Sequence, residues 1–503
     1  MIAVSEAWKN IQPRFLLPET FVEIDCTITE DAVQATATIS GTNEANISNT
    51  ISALEDNHKS VKYATAELNI WALDGSRIIA PDNVPYASIG YVSETAAEGS
   101  VTVRLPEIHT STTSGVTITW GGRYNEYPST FEIITKNGNN IVSYKKIEGN
   151  TSQVSAVFEQ MQNYDNITIN VLEWSLPYRR VRIENVIIGH VLTFGKKDII
   201  NYSHEQSGHL NSGNLPKNSI SFTLDNTDGR WDPTGMGQYL SERQRIIVRY
   251  GLDINGITEW IKAGTFYLSE WKVPSNGLEA SFAARDIFEY LLNETYNGPI
   301  TGTYYDFCIA AFESADVPDD FRYSLDNALK KDSAPIPSGT YTCAEIIQMC
   351  ANACSCVIYQ DRDGVLHIET LNKTNTEYVI PLSLSYSQPE IELSKPLKNV
   401  SVSNGLEGST FVLPVGNSGE TQTVDNPLII NQHQAVAEWV RDTLVTRKTV
   451  SGEFRADPRL DVFDIVSVQS KYGDLATVAI TDIKYTYNGS FRGSYDGRLL
   501  GEV

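Results

Sequence analysis

Apolar and polar residues alternate one for one in short runs along most of this chain, and a period of two restricts it to folds built from half-buried strands. Val101, Val103 and Leu105 mark one run, the surroundings of Ile118 a second, Phe131 and Ile133 a third, and Ile167, Ile169 and Val171 a fourth. Ile220, Phe222 and Leu224 continue the pattern, followed by residues 246–250, 266–273, 278–284, 466–468, 478–480 and 483–487. Turn dipeptides separate them, among them Asp74-Gly75, Asn137-Gly138, Asp363-Gly364 and Asn488-Gly489, as antiparallel hairpins require. Val33, Ala35, Ala37 and Ile39 alternate with Gln34, Thr36, Thr38 and Ser40, which predicts a further strand there. Between Ile480 and Ile483 the alternation changes phase, and the expected cause is a β-bulge.

A chain of 503 residues exceeds one ordinary core, so the strands must be distributed over modules. The expected fold class is mainly β and multidomain: one or two N-terminal β-sandwich modules (1–175), a barrel-like domain (176–300), a small mixed α/β insertion (301–394) and a C-terminal barrel-like domain (395–503). Helices are expected where apolar spacing changes to three and four. Ile287, Tyr290 and Leu291 follow a possible Asp286 cap; Phe307, Cys308, Ala311 and Phe312 share a face. Thr342 and Glu345 form a capping-box pair ahead of Cys343, Ile346, Ile347, Cys350, Ala351 and Cys354, and Val436, Trp439, Val440 and Leu444 line another helix. Residues 404–427, rich in Gly, Ser, Thr and Asn, read as an exposed loop.

Charge and motifs exclude more than they assign. With 39 basic against 62 acidic residues the formal charge is −23, which opposes binding to phosphate backbones or anionic lipid, so no sequence-specific nucleic-acid binding is expected. No run approaches the roughly 18 apolar residues of a membrane helix, and the first ten residues lack the apolar core of a signal peptide, so synthesis in the cytoplasm is expected. Six cysteines are too few for a disulfide scaffold and read as reduced, buried thiols.

His204, Glu205 and His209 approach a zinc-protease motif, but one residue too many separates the histidines. On a helix their rings would diverge by about 140°, and two polar loop histidines is the simpler reading. The run from Asp225 to Asp232 places Thr227 and Gly229 where a calcium loop needs oxygen ligands; it reads as a turn with Trp231 packed beneath it. No nucleophile elbow, phosphate-binding loop or dinucleotide fingerprint occurs. No catalytic residue, metal or cofactor is expected, and the chain reads as non-enzymatic. Aromatic residues at Trp71, Tyr86, Tyr91, Trp120, Tyr124 and Tyr127 are core or interface rings in the first instance; Trp120, Tyr124 and Tyr127 are the candidates for contact with a cell-surface polysaccharide. The segment from Trp174 to Ile183 combines a proline with Arg179, Arg180 and Arg182. Trp174, Tyr178, Arg179, Arg180 and Arg182 are therefore the candidate contact between domains or subunits, with a solvated linker as the equal alternative.

Four segments carry a family likeness. Leu215-Pro-Lys-Asn-Ser-Ile-Ser-Phe-Thr-Leu-Asp-Asn-Thr-Asp-Gly-Arg-Trp-Asp-Pro233 with Tyr239-Leu-Ser-Glu-Arg-Gln-Arg-Ile-Ile-Val-Arg-Tyr-Gly251 resembles tail-tip structural proteins of phages and prophages that infect Gram-positive bacteria. Ala456-Asp-Pro-Arg-Leu-Asp-Val-Phe-Asp464, continuing through Tyr485 to Arg492-Gly493, looks like the closing barrel of tail-hub proteins. Tyr359-Gln-Asp-Arg-Asp-Gly-Val-Leu-His-Ile368 and the segment from Trp174 to Ile183 fit the same group, and together they span residues 174 to 503. The resemblance implies hub-like β-barrels, a homotrimer matching a six-fold tail tube, and a place in the virion at the tail tip or baseplate. The partners it implies are the tail tube, distal tail and other baseplate proteins. A receptor-binding tail protein that recognises surface glycan through its N-terminal module is the alternative.

Overall fold

A computed structural model describes residues 2–14, 18–29, 31–42, 67–68, 86–88, 96–110, 112–121, 126–229, 231–232, 237, 240, 242–274, 277–318, 320–371, 378–405, 409–444, 446–471 and 475–500. The turn expected at Asp74-Gly75, and Trp71, Tyr91 and Tyr124, lie outside them. The chain is mainly β, with several sheets and few helices. It divides into two compact units, Thr27–Leu192 and Met1–Cys26 with Thr193–Val503.

In the unit Thr27–Leu192, a five-stranded sheet runs in the order Thr38–Thr42, Ala96–His109, Tyr164–Trp174, Pro128–Asn137, Asn140–Glu148. Thr113–Trp120 pairs on one side with Val154–Met161 and on the other with the strand beginning at Arg182. Val101, Phe131, Ile133, Ile167 and Ile169 from the first sheet and Val116, Ile118, Trp120 and Ile183 from the second form one core cluster. Two sheets with facing apolar rows make the expected sandwich. Gly138, at φ +56°, turns the hairpin between Asn137 and Asn140, as its dipeptide predicts.

Residues 31–36 correct the expectation of a strand. Asp31–Thr36 is a short helix, and only Thr38–Thr42 is extended. Gln34 decides the matter through hydrogen bonds across sequence: its side chain accepts from the Ile188 amide (2.9 Å) and donates to the Val186 carbonyl (3.2 Å). Alternation over so few residues cannot separate a strand from a helical turn.

In the other unit, a first sheet runs Ile199–Ser207, Lys217–Asp225, Glu279–Arg285, Ile257–Lys272, Arg245–Ile254. A second runs Glu390–Leu393, Lys448–Phe454, Phe491–Leu499, Leu475–Tyr487, Ile465–Gln469. They are fused edge to edge, because Ile199–Ser207 pairs antiparallel with Leu475–Tyr487 from Tyr202↔Tyr487 to Ser207↔Asp482. Tyr202 and Tyr250, on the first and last strands of the first sheet, meet at 3.0 Å through their hydroxyls, so that sheet curls strongly on itself. Among the described residues no closed barrel is found. The register shifts between Ile480 and Asp482, the bulge that the change of phase predicts.

An α/β lobe packs in the same unit. Helices Tyr304–Ser314 and Cys343–Ala353 share a core with the mixed sheet Arg322–Leu325, Val365–Glu369, Val357–Gln360. Thr342 and Glu345 form the predicted capping box, and all the thiols except half-buried Cys354 are buried and unpaired with one another. Residues 404–427 correct the loop expectation: Phe411–Pro414 and Glu420–Asp425 flank Leu397–Ser403 in a three-stranded sheet. Composition misleads here because the backbone ladder, with Val400 and Val402 buried beneath helix His433–Leu444, supplies what side-chain propensity does not.

Candidate functional site

Three parts of the larger unit converge on one buried polar chain. His204 lies on Ile199–Ser207, wholly buried, and its ring bonds on both sides: Nδ1 to the Tyr250 hydroxyl at 2.7 Å and Nε2 to Asn218 Oδ1 at 2.8 Å. Because Asn218 Oδ1 only accepts, Nε2 carries the proton, Tyr250 donates to Nδ1, and Tyr202 donates in turn to Tyr250. Burial holds the imidazole pKa down at about 4, so it stays neutral. The expectation of two polar loop histidines therefore fails for His204. Its neighbours Ser203 and Glu205 point to the polar side, and strand alternation places it in the core.

Arg362 closes the chain from the α/β lobe. It sits in the turn between Val357–Gln360 and Val365–Glu369, nearly buried, with its guanidinium 5.9 Å from the centre of the Tyr250 ring. Nε and Nη2 fork onto Asp461 at 2.9–3.0 Å, Nη2 also donates to the Leu460 carbonyl at 2.9 Å, and Nη1 to the Lys262 carbonyl at 3.3 Å. Tyr485 donates to the carbonyls of Asp457 (3.0 Å) and Leu460 (2.7 Å). Phe463, at φ +68°, turns the tip of its ring onto Gly208, where a Cβ would stand 2.5 Å from it. On the outer face, Glu205 takes Lys217 and Lys484 at 2.6 Å each, which lowers its pKa to about 2 and ties the fused edges together.

The arrangement is largely buried, the Tyr250 hydroxyl and the His204 imidazole included. Its chemistry is that of fixation: a fork-to-carboxylate bond ties the lobe to both fused sheets, and a directional hydrogen-bond chain holds the strands of the first sheet in register. The quoted segments other than Trp174 to Ile183 meet here, since Asn218, Tyr250, Arg362, Asp461 and Tyr485 each come from one of them. The chain is similar to solved phage tail proteins. The tail protein of prophage MuSo2 from Shewanella oneidensis is 12% identical, with a TM-score of 0.44 over 61% of this chain and 95% of that one. A tail protein from Neisseria meningitidis MC58 gives 12% identity and 0.44 over 62% and 93%, and a prophage tail protein from Listeria monocytogenes gives 10% and 0.42 over 61% and 91%. No family model and no curated protein matches the chain.

The arginine segment lies in the other unit, largely inside it. Trp174, Arg179 and Arg182 are buried. Arg182 forks onto Glu67 at 2.8 and 2.7 Å, Arg179 pairs with Glu126 at 2.5 Å, and Trp174 Nε1 donates to Glu126 at 3.0 Å. Arg180 donates through its amide to Glu67 (2.7 Å) and through its guanidinium to the Ser88 carbonyl (2.8 Å). Burial raises the Glu126 pKa, opposed by the Trp174 bond and both arginines. Of the five candidates, Tyr178 is the exposed one, at φ +57°. The segment thus binds its own unit, and Glu67 and Glu126 are the partners that sequence reading missed; nothing in spacing links Glu67 to a residue 115 positions away.

Of the polysaccharide candidates, Trp120 is fully buried. It packs against Phe131 and Trp174, with Nε1 donating to Ser155 at 2.8 Å. Tyr127 is half-buried and bridges to Ser175 through its backbone. Trp231 is buried under the predicted turn, whose Asn226 Oδ1 accepts from the Trp231 amide at 2.7 Å.

Proposed function

We propose that this chain is a structural tail-tip or baseplate-hub protein of a phage or phage-tail-like particle, of the group infecting Gram-positive bacteria. Three copies would ring the tail axis, terminate the tube and hold receptor-binding or cell-puncturing proteins. The work is geometric, without catalysis and without a cofactor. The observation that carries this reading is the convergence of the resembling segments after residue 214 on one buried polar cluster where two fused sheets and a lobe meet. Residues spread over some 270 positions serve a single rigid joint, as expected of a part that transmits position. Assemblies of this kind bury on the order of 2,000–5,000 Å² per interface.

Light scattering after size exclusion, with tail-tube protein present, tests the reading. A trimer is expected; a monomer at high concentration would overturn it.

A further inference from the structure

On the outer face of the first sheet, under the α/β lobe, lies a cleft of about 330 Å³ lined by Arg245, Lys262, Thr265, Tyr267, Arg322 and the Asp363-Gly364 turn, with Asp320 and Phe321 at its rim. The strand register explains how its cations gather. Arg245 pairs with Tyr267 and Ile247 with Thr265; the ladder then slips, with Val248 opposite Gly264 but Arg249 opposite Lys262. Ala263 is the extra residue, and the bulge turns Lys262 onto the face that already carries Arg245, Thr265 and Tyr267. The lobe brings Arg322 over this face at the start of Arg322–Leu325.

Three cations thus crowd one cleft, and the carboxylates present engage them unevenly. Asp320 takes Arg245 at 2.6 Å while remaining more than half exposed. Asp363, almost three-quarters exposed, stands 3.9 Å from Lys262 Nζ, too far for a hydrogen bond. Arg322 donates to the Asp363 carbonyl at 2.9 Å. Thr265 is 2% exposed and its hydroxyl has no hydrogen-bond partner among the described residues. A buried hydroxyl left unmatched is costly, and here it lines a cleft of cationic donors. Burial lowers the Lys262 pKa, with repulsion from Arg245 and Arg322 offsetting part of the pull of Asp363 and Asp361.

We propose that this cleft binds a small tetrahedral oxyanion of the phosphate or sulfate class, held by Lys262, Arg245 and Arg322 and by the Thr265 hydroxyl. The bound ion would tie the lobe to the sheet at a point distant from the Arg362 fork. The chain's excess of negative charge disfavours anions in general, so an anion site must be built locally, as this one is. This inference does not depend on the tail-tip reading.

Titration calorimetry and thermal shift on the full chain, with inorganic phosphate, sulfate, glycerol phosphate and chloride at matched ionic strength, test it. Saturable binding of phosphate or sulfate, a raised melting temperature and no response to chloride are expected. Glycerol phosphate binding more tightly than inorganic phosphate would assign the site to an organic phosphoester; equal affinity would assign it to the free ion. Lys262→Gln and, separately, the surface variant Arg322→Gln should each weaken binding by about tenfold or more, the loss of one charge-assisted hydrogen bond. Absence of saturable binding, or binding unchanged in a folded Arg322→Gln protein, would overturn the proposal.

Discussion

Replacing Arg362 with alanine removes the fork to Asp461 and the bonds to the carbonyls of Leu460 and Lys262 in one step. Breaking a buried pair by deleting one partner costs about 3–5 kcal/mol. The lower end applies, because the Asp461 side chain is 23% exposed and can regain water. The surrounding unit spans Met1–Cys26 and Thr193–Val503, about 340 residues. With an unfolding entropy of roughly 2.1 cal/mol/K per residue, a loss of about 3 kcal/mol lowers its melting temperature by about 4 °C. Arg362→Lys keeps the charge and loses the planar fork, so it should fall between wild type and alanine. The Arg362→Ala, Asp461→Ala double cycle should return a coupling of about 2 kcal/mol or more. Scanning calorimetry reads all of these, and a drop under about 1 °C for the alanine variant would refute the idea that this arginine fixes the joint.

Asp286 is fully buried, and burial raises its pKa to about 7. A folded value above the unfolded one gives stability that is fully present below about pH 4 and lost as pH rises through 7. Asp286→Asn, which keeps an acceptor for the Phe288 amide, should therefore gain on wild type between pH 4 and 7, by at most about 1.4 kcal/mol per pH unit; parallel melting curves across that range would count against it. His204 has the opposite sign. Its folded pKa of about 4 lies below the usual 6.5, so its contribution is lost as pH falls from 6.5 to 4, and a variant without an ionisable group there should flatten that acid limb in the same scans. Glu67→Ala leaves Arg182 buried without its fork and should destabilise the unit Thr27–Leu192 by about 3 kcal/mol or more, read as earlier proteolysis of that unit. Trp120→Ala should cost about 3–5 kcal/mol as a core deletion. Any loss of polysaccharide binding in that variant should track unfolding by circular dichroism, and a loss in a fully folded variant would contradict the buried placement.

Local rules carried into the structure where they were sufficient by themselves. The Thr342 and Glu345 box, the bulge before Ile483 and the turn over Trp231 each depend on a handful of adjacent residues and were legible. Failures came where a distant partner decides. Gln34 is helical because of Val186 and Ile188; residues 411–425 are extended because Leu397–Ser403 lies between them; the arginines after Trp174 face inward because Glu67 and Glu126 await them. An arginine cluster reads the same in sequence whether its carboxylates belong to a neighbour subunit or to its own core.

The same reasoning explains why the joint could not be located by spacing. Asn218, Tyr250, Arg362, Asp461 and Tyr485 come from strands and turns that look ordinary, Asn218, Tyr250 and Tyr485 on strands and Arg362 and Asp461 in turns. A buried polar residue survives only with its full set of partners. Substitution at any one of them therefore burdens all the others, and variants within the chain should show strong coupling energies, whereas Glu205, held by two exposed lysines, should behave almost independently. A cycle that paired Tyr250→Phe with Arg362→Ala and found simple additivity would mean that the sheets and lobe are held by apolar packing alone.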